Sequence, residues 1–199
     1  MSADHDEQAT PVTMRTEAGC LVFVVGPSGA GKDTLIRLAA EALADQPHVR
    51  VARRIVTRAS NAHEDHGSVD QAVFEAMSRD GAFCLEWAAH GLDYGIPREV
   101  EDNVRRGAVV LCNGSRAAAA RMRRRFVKSA IVLVNAPRDV LAARIQARGR
   151  DVNADSRLDR DLESWSRDDA DIVIENTGEP ADAAADLVRF IRSLLPANT

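Results

Sequence analysis

The chain has 199 residues, of which 45% are hydrophobic and 28% are charged, and its formal net charge is −4 at pH 7. This length and apolar content suffice for one well-packed globular domain. The net negative charge argues against a dedicated nucleic-acid-binding protein, and no apolar stretch of the sequence is long enough to cross a membrane. The three cysteines lie in or beside apolar runs, so we expect free thiols in a cytoplasmic protein.

The domain organisation predicted from composition is simple. Residues 1–18 are mostly polar and acidic, which is typical of a flexible tail at a chain end. The rest of the chain, 19–199, contains no internal repeat and no low-complexity linker. We therefore predict a short N-terminal tail followed by a single domain.

The first patterned segment, 20–34, reads CLVFVVGPSGAGKDT. Its apolar start predicts a buried parallel strand, and the glycines that follow allow the backbone to turn sharply and present successive N–H groups. Gly26-x4-Gly31-Lys32 matches the Walker A loop, whose amides and lysine bind the phosphates of a nucleotide. The predicted nucleotide-binding residues are Gly26, Pro27, Ser28, Gly29, Ala30, Gly31, Lys32, Asp33 and Thr34, with Lys32 also catalytic.

The elements after this loop alternate between helices and strands. Apolar residues at helical spacing predict a helix that ends near residues 45–47, and a strand follows at 49–56. The remaining predicted elements are helix 69–80, strands 82–87 and 92–94, helix 97–106 with proline at its start, strand 108–112, an Ala/Arg-rich helix, strand 130–135, helices 137–148 and 156–168, strand 171–175 and helix 181–195. This alternation predicts an α/β fold with a mostly parallel sheet covered by helices on both faces.

A polar insert at about residues 50–97 interrupts the alternation and predicts a small lobe opposite the loop. Arg53, Arg54 and Arg58 lie near the start of this lobe, and Tyr94 is the only tyrosine of the chain. The planar guanidinium group donates paired hydrogen bonds to phosphate, so these residues predict a phosphate-bearing acceptor. Taken alone, the arginines could equally form a solvated positive edge, and Tyr94 a surface aromatic.

Several motifs occur in a fixed order, namely GPSGAGKD, RRIVTR, EDH, AHGLDYGIP, VLCNGSR and RGRDVNADSRLDR. In these motifs the chain resembles the guanylate-kinase-like P-loop kinases, and more closely the ribose 1,5-bisphosphate phosphokinases of bacterial phosphonate catabolism. The resemblance runs from about residue 20 to 195. It implies a P-loop fold with an acceptor-binding lobe and an arginine-rich lid at about 144–160. It also implies that ATP phosphorylates the 1-phosphate of α-D-ribose 1,5-bisphosphate to give 5-phospho-α-D-ribose 1-diphosphate.

The resemblance also implies roles for single residues and for partners. Lys32, Arg148 and Arg157 would be catalytic, and Asn176 would border the adenine of ATP. The substrate-binding residues would be Arg53, Arg54, Arg58, Glu86, Tyr94, Ser115 and Arg116. The partners would be ATP, Mg²⁺ and a small-molecule substrate, without nucleic acid or membrane, for a monomer or homodimer.

Asp33 occupies the position at which P-loop enzymes usually carry the Ser or Thr that holds Mg²⁺. In guanylate kinases the strand equivalent to 108–112 leads into aspartates, whereas here it leads into Cys112-Asn113-Gly114-Ser115 without an acid. Our hypothesis is that Asp33 restores a carboxylate near the metal. The simpler alternative is that Asp33 favours the helix N-terminus electrostatically.

Two other functions remain open on the sequence. Guanylate kinase is the first, because Glu86 resembles the acid that reads guanine in those enzymes, although RRIVTR lacks the Ser/Thr-rich run that usually accompanies it. A non-catalytic guanylate-kinase-like binding module is the second. Such modules typically lose the P-loop lysine and the lid arginines, which are present here.

Overall fold

A computed structural model of the chain describes residues 19–58, 67–89, 91–147 and 169–196. The elements within these ranges alternate as the sequence predicts for an α/β protein. In chain order they are β1 (Cys20–Val25), α1 (Lys32–Ala42), β2 (Val49–Ala52), β3 (Ile55–Val56), β4 (Gly67–Ser68), α2 (Gln71–Arg79), β5 (Phe83–Ala89), β6 (Leu92–Pro97), α3 (Glu99–Arg105), β7 (Val109–Asn113), α4 (Arg116–Arg125), β8 (Ser129–Asn135), α5 (Arg138–Ala147), β9 (Ile172–Glu175) and α6 (Pro180–Leu194).

The main sheet has five strands in the order β2-β7-β1-β8-β9, and every neighbouring pair is parallel. All six residues of the central strand β1 are buried. Val22 and Val24 pack in a core with residues of α1, α5 and α6, whereas Leu21 and Phe23 pack in a second core with residues of α3, α4 and β5. Burial on both faces explains why β1 is a continuous apolar run rather than an alternating one.

The second sheet has the order β4-β3-β6-β5. Strands β5 and β6 form an antiparallel hairpin in which Trp87 lies opposite Tyr94 and Glu86 opposite Gly95. Along β5 the residues Phe83, Leu85 and Trp87 are buried and alternate with more exposed ones, as expected for a sheet with one face on the core. This sheet and α2 form the lobe that the polar insert predicts.

The prediction of one strand at 49–56 is wrong, because this segment forms two strands in two different sheets. Ala52 at the end of β2 pairs with Cys112 of β7 in the parallel sheet, whereas Ile55 in β3 pairs with Gly95 of β6. The chain therefore changes sheets at Arg53 and Arg54. A run of apolar and polar residues gives no sign of this change, because strand partners are chosen by tertiary contacts.

The other boundaries follow the predictions to within a few residues, with one change of role. Pro97 does not begin a helix; it ends β6 opposite Phe83, and α3 begins two residues later at Glu99. Proline is tolerated here because it stands at the end of its strand. The predicted tail at 1–18, the predicted helix at 156–168 and the lid beyond Ala147 lie outside the described residues.

The three cysteines are free thiols, as predicted. Burial raises the pKa of Cys20 and of Cys84 to about 11, with the neighbouring charges of Asp171 and Glu101 respectively adding to the rise. Burial raises the pKa of Cys112 to about 12. Across the described ranges, no helix combines the length and apolar character that a bilayer crossing would need.

Candidate active site

The glycine-rich loop connects the carboxyl end of β1 to the first turn of α1, and its backbone needs glycine at specific positions. Gly26, Gly29 and Gly31 have φ angles of 148°, 82° and 92°, which L-residues with side chains rarely adopt. A Cβ atom on Gly26 would also lie 2.1 Å from the carbonyl oxygen of Val134 on the neighbouring strand β8. The loop therefore keeps the turned conformation that presents its amides to an anion.

The Lys32 ammonium group folds back over this loop. Its Nζ atom donates hydrogen bonds to the carbonyl oxygens of Gly26, at 2.9 Å, and Pro27, at 3.0 Å. These contacts place a positive charge at the loop that the sequence predicts to bind phosphates. The position agrees with the role that P-loop lysines have at the β- and γ-phosphates.

Asn176 follows β9 and supports the loop from its buried side. It is 1% exposed, and its Nδ2 atom donates to the carbonyl oxygen of Ala30 at 2.8 Å. A Cβ atom on Gly31 would lie only 2.4 Å from this Nδ2 atom. Asn176 therefore holds the backbone of the loop, and the predicted contact with adenine would require its side chain to become exposed.

Asp33, in the first turn of α1, is connected to the lobe through Asn113. The Asp33 carboxylate accepts a short hydrogen bond from the Nδ2 atom of Asn113, which is the last residue of β7 and 7% exposed. The Oδ1 atom of Asn113 accepts a hydrogen bond from Arg54 Nη1 at 3.3 Å. Residues from α1, β7 and the β2–β3 junction thus form one polar chain across the site.

Sequence reasoning missed the contribution of Asn113, because it noted only that no acid follows this strand. The available signal was positional. Asn113 ends a strand that neighbours β1 in the parallel sheet, and ligands of such sheets bind outside the carboxyl ends of the strands.

The donor set fits a magnesium ion bound mainly through substrate phosphates. Such sites use one or two carboxylates plus phosphate oxygens and water, rather than a cage of protein ligands. Of the two Asp33 oxygens, Oδ1 accepts the hydrogen bond from Asn113. Thr34, which carries a hydroxyl group, follows Asp33 in the chain. The described ranges contain no group of three or more His, Cys, Asp or Glu residues suited to hold a metal.

The Arg54 guanidinium lies over an aromatic stack on the lobe. Its Cζ atom is 5.4 Å from the centroid of the Tyr94 ring, a cation–π distance. Tyr94 stacks on Trp87 at 5.2 Å, and Trp87 meets Phe23 of β1 edge-on at 6.1 Å. The Nε atom of Arg54 is buried and has no hydrogen-bond partner among the described residues. Arg54 is therefore held by the Tyr94 ring and by Asn113, and its Nε–H group remains available to donate a hydrogen bond.

The other predicted acceptor residues fall in two places. Arg53 precedes Arg54 at the change of sheets, and Arg58 follows β3. Ser115 and Arg116 come directly after the strand that ends in Asn113, and the Ser115 hydroxyl caps α4 by accepting from the backbone amide of Ala117 at 3.3 Å. The structure thus brings Arg54 to the carboxyl end of β7, and Ser115 and Arg116 follow that strand in the chain.

Glu86 differs from these residues because its carboxylate is bound within the lobe. The Ser78 hydroxyl of α2 lies 3.1 Å and 2.9 Å from its two oxygens. Glu86 also neighbours Trp87 along β5, so the alternation of a strand places it on the opposite face from the Trp87–Tyr94 stack. This placement ties α2 to β5.

The predicted catalytic arginines Arg148 and Arg157 lie outside the described residues. The helix that precedes them, α5, packs against the loop: a Cβ atom on Gly29 would lie 3.1 Å from the carbonyl oxygen of Leu141 and 3.2 Å from Ile145. The Nη1 atom of Arg144 on this helix is buried without a hydrogen-bond partner among the described residues. The segment predicted as a lid therefore begins beside the P-loop.

The fold and the loop define a P-loop protein with the guanylate-kinase-like fold. The crystal structure of guanylate kinase from Anaplasma phagocytophilum superposes with a TM-score of 0.68 over 90% of this chain and 88% of that one, at 21% sequence identity. This likeness establishes the fold.

The particular family follows from curated relatives named ribose 1,5-bisphosphate phosphokinase PhnN. The protein of Methylobacterium radiotolerans is 46% identical, with 88% of this chain and 98% of that protein covered. The proteins of Rhodopseudomonas palustris and Bradyrhizobium diazoefficiens are each 43% identical, with 87% and 88% of this chain and 89% of each relative covered. No protein-family model matches the chain. The chain belongs to the ribose 1,5-bisphosphate phosphokinase family.

Proposed function

We propose that this chain transfers the γ-phosphoryl group of ATP to the 1-phosphate of α-D-ribose 1,5-bisphosphate, giving ADP and 5-phospho-α-D-ribose 1-diphosphate. Relatives that bear the name of this activity match most of the chain at up to 46% identity. The reaction belongs to phosphonate degradation and the supply of the diphosphate product, in the cytoplasm.

The observation that carries the proposal is the link between the two phosphate-binding regions. Arg54 of the lobe is joined through Asn113 to Asp33, which directly follows the P-loop lysine. A kinase must hold its acceptor in line with the transferred phosphoryl group. An arginine anchored next to the first turn of α1 is suited to hold an acceptor phosphate there.

The chemistry of this acceptor requires cations more than a base. A phosphate monoester has a second pKa near ~6, so its attacking oxygen has largely lost its proton at neutral pH. That oxygen forms a bond to the γ-phosphorus while the bond from this phosphorus to the bridging oxygen of ADP breaks. Lys32 and the loop amides bind the donor phosphates, and Arg53, Arg54, Arg58 and Tyr94 bind the acceptor phosphates against their mutual repulsion.

The remaining predicted residues have supporting roles in this proposal. Arg148 and Arg157 would neutralise charge on the transferred group from the lid, as arginine fingers do. Ser115 and Arg116 would contact the sugar phosphate, and Asn176 would support the nucleotide loop.

Asp33 is the proposed protein ligand of Mg²⁺. Asp33 would hold the ion beside the donor phosphates, and the ion would supply positive charge against theirs. Asp33→Asn is expected to shift the Mg²⁺ concentration for half-maximal activity upwards and to lower turnover. The Mg²⁺ affinity of the ADP-bound protein should also fall, as measured by titration calorimetry. An unchanged Mg²⁺ titration together with an unchanged rate would assign Asp33 to the helix terminus alone.

Guanylate kinase activity is the second candidate, because Glu86 lies on the lobe as the guanine-reading acid would. The Ser78 hydroxyl donates one hydrogen bond to the Glu86 carboxylate, which leaves acceptor sites on that carboxylate. The lack of a Ser/Thr-rich run in RRIVTR weighs against guanylate kinase activity.

The deciding experiment offers ribose 1,5-bisphosphate or GMP to the chain with ATP and Mg²⁺, and identifies the products by mass spectrometry. We expect 5-phosphoribosyl diphosphate and no GDP. A Lys32→Ala preparation serves as the control for contaminating kinases. Formation of GDP alone would overturn the proposal and make Glu86 a guanine-binding residue.

A further inference from the structure

We propose that Asn113 is a positioning residue that fixes the Arg54 guanidinium of the acceptor lobe relative to the P-loop. Its consequence for acceptor binding rests on the proposed function. Asn113 does not need to touch either substrate, because it acts on Arg54 and Asp33, which it contacts on opposite sides of one amide.

The two hydrogen bonds fix the orientation of the Asn113 amide. Its Nδ2 group donates to the Asp33 carboxylate, and its Oδ1 atom accepts from Arg54. Turning the amide over would set the Oδ1 atom against a carboxylate and the Nδ2 group against a guanidinium, so both contacts would become repulsive. Since Asn113 is 7% exposed, water does not readily replace either partner.

Arg54 needs such a contact because it lies at the point where the chain passes from one sheet to the other. Its long side chain leaves the backbone between β2 and β3, and the Tyr94 ring fixes only the face of the guanidinium. The hydrogen bond to Asn113 fixes the rotation of the guanidinium in its own plane. This also fixes the direction in which the Nε–H group of Arg54 points. That group has no hydrogen-bond partner among the described residues.

A neutral amide is better suited than a carboxylate to this task. An acid at position 113 would lie against Asp33 with like charge, and it would also neutralise the positive charge of Arg54. The amide orients the guanidinium and leaves its full charge to attract an acceptor phosphate. This explains why the strand ends in Asn113 rather than in an acid.

The first test exchanges the two side chains. Asn113→Asp alone should lower the melting temperature, because two carboxylates then face each other, and should weaken binding of ribose 1,5-bisphosphate about tenfold or more, because a carboxylate beside Arg54 neutralises its charge. Adding Asp33→Asn to this variant restores one carboxylate and one amide in reversed order. It should recover most of the melting temperature, whereas acceptor affinity should stay low, because the carboxylate at position 113 still neutralises Arg54. Acceptor affinity is measured by titration calorimetry without nucleotide or Mg²⁺, so a loss of the metal ligand does not affect the result.

The second test measures coupling between Asp33 and Arg54 in the ligand-free chain. We compare the changes in melting temperature caused by Asp33→Ala, by Arg54→Ala and by both together. These changes should be non-additive with Asn113 present and additive after Asn113→Ala. Asn135→Ala is the matched control. Asn135 ends the strand β8 of the same sheet, but its Nδ2 group donates to Glu175 at 3.3 Å, so the coupling should persist in that background.

The outcomes separate this inference from the proposed function. No recovery of the melting temperature on exchange, or coupling that survives Asn113→Ala, would overturn the positioning role. If the unmodified chain does not bind ribose 1,5-bisphosphate, the proposed function fails. Recovered melting temperature and lost coupling would still establish that Asn113 positions Arg54.

Discussion

The P-loop takes its residues from the single segment 26–34, whereas the candidate acceptor site takes Arg54, Tyr94 and Asn113 from three separate parts of the chain. The loop depends on backbone geometry, with three glycines at positive φ. The acceptor site depends instead on side chains that contact one another across two sheets. The donor half of the site is therefore encoded locally, and the acceptor half is assembled by the fold.

The two sheets differ in the same way. The central strand β1 is buried along its whole length, while β5 of the lobe alternates between buried and more exposed residues. A substitution in the loop should therefore affect nucleotide binding and stability together, and one on the lobe should affect mainly the acceptor. Four measurements examine this difference, beginning with the largest expected effect.

Replacing Lys32 tests the donor half most directly. Lys32→Ala should lower kcat by about 10²–10³-fold, as the loss of one preorganised charge or donor at the transferring group does. Lys128, the only other lysine of the chain, is exposed and lies immediately before β8, so Lys128→Ala is the matched control and should retain normal turnover. Similar rates for the two variants would remove Lys32 from the catalytic residues.

Replacing Gly31 and Gly91 separates the cost of backbone strain from the cost of a steric clash with Asn176. Gly31→Ala combines a φ of 92° with a Cβ only 2.4 Å from Asn176 Nδ2, and should cost about 2–4 kcal/mol of unfolding free energy as well as ATP affinity. At Gly91 the φ angle is 73° and, among the described residues beyond its chain neighbours, no atom lies within 4 Å of an added Cβ, so Gly91→Ala should cost only the strain, about 1–2 kcal/mol. Equal losses in chemical denaturation would show that Asn176 adjusts without cost.

Replacing Arg54 tests the acceptor half. Arg54→Ala should raise the KM for ribose 1,5-bisphosphate about 10- to 100-fold, the effect of losing charge-assisted hydrogen bonds, and leave the KM for ATP nearly unchanged. Arg50→Ala on the neighbouring strand β2 is the control, because Arg50 is exposed and its side chain donates, within the described part of the chain, only to the carbonyl oxygen of Val49. A parallel rise in both KM values would mean that Arg54 supports the whole site.

The buried thiols report whether the two regions unfold together. In the folded chain the pKa of Cys20 in β1 and of Cys84 in β5 is about 11, against 9.0 for an unperturbed thiol. Above about pH 9 the unfolded chain therefore releases protons that the folded chain retains, and the unfolding free energy falls by up to about 1.4 kcal/mol per pH unit for each thiol. Denaturation between pH 7 and 10.5 measures this slope.

Cys20→Ala and Cys84→Ala should each remove a similar share of that slope if the parallel sheet and the lobe unfold in one transition. If Cys20→Ala reduces the pH slope of the unfolding free energy but Cys84→Ala leaves it unchanged, the lobe unfolds separately. Neither variant should change the unfolding free energy's dependence on pH below about pH 8, where both thiols keep their protons in either state.

The sequence by itself determined the P-loop, the α/β alternation and the existence of a lobe with arginines and Tyr94. These features depend on short-range patterns: a strand, three glycines, a lysine and a helix lie within 20–34, and local backbone geometry requires those residue types. The free cysteines also followed from their apolar surroundings.

Only the tertiary structure decided that 49–56 divides between two sheets, that Glu86 binds Ser78, and that Asn113 joins Asp33 to Arg54. The partners of Asn113 are 80 and 59 positions away in the chain. Side chains of this kind meet only because parallel strands bring their carboxyl ends to one edge of a sheet. No local pattern records that meeting, so the donor half of the site could be predicted from the sequence and the connection to the acceptor half required the fold.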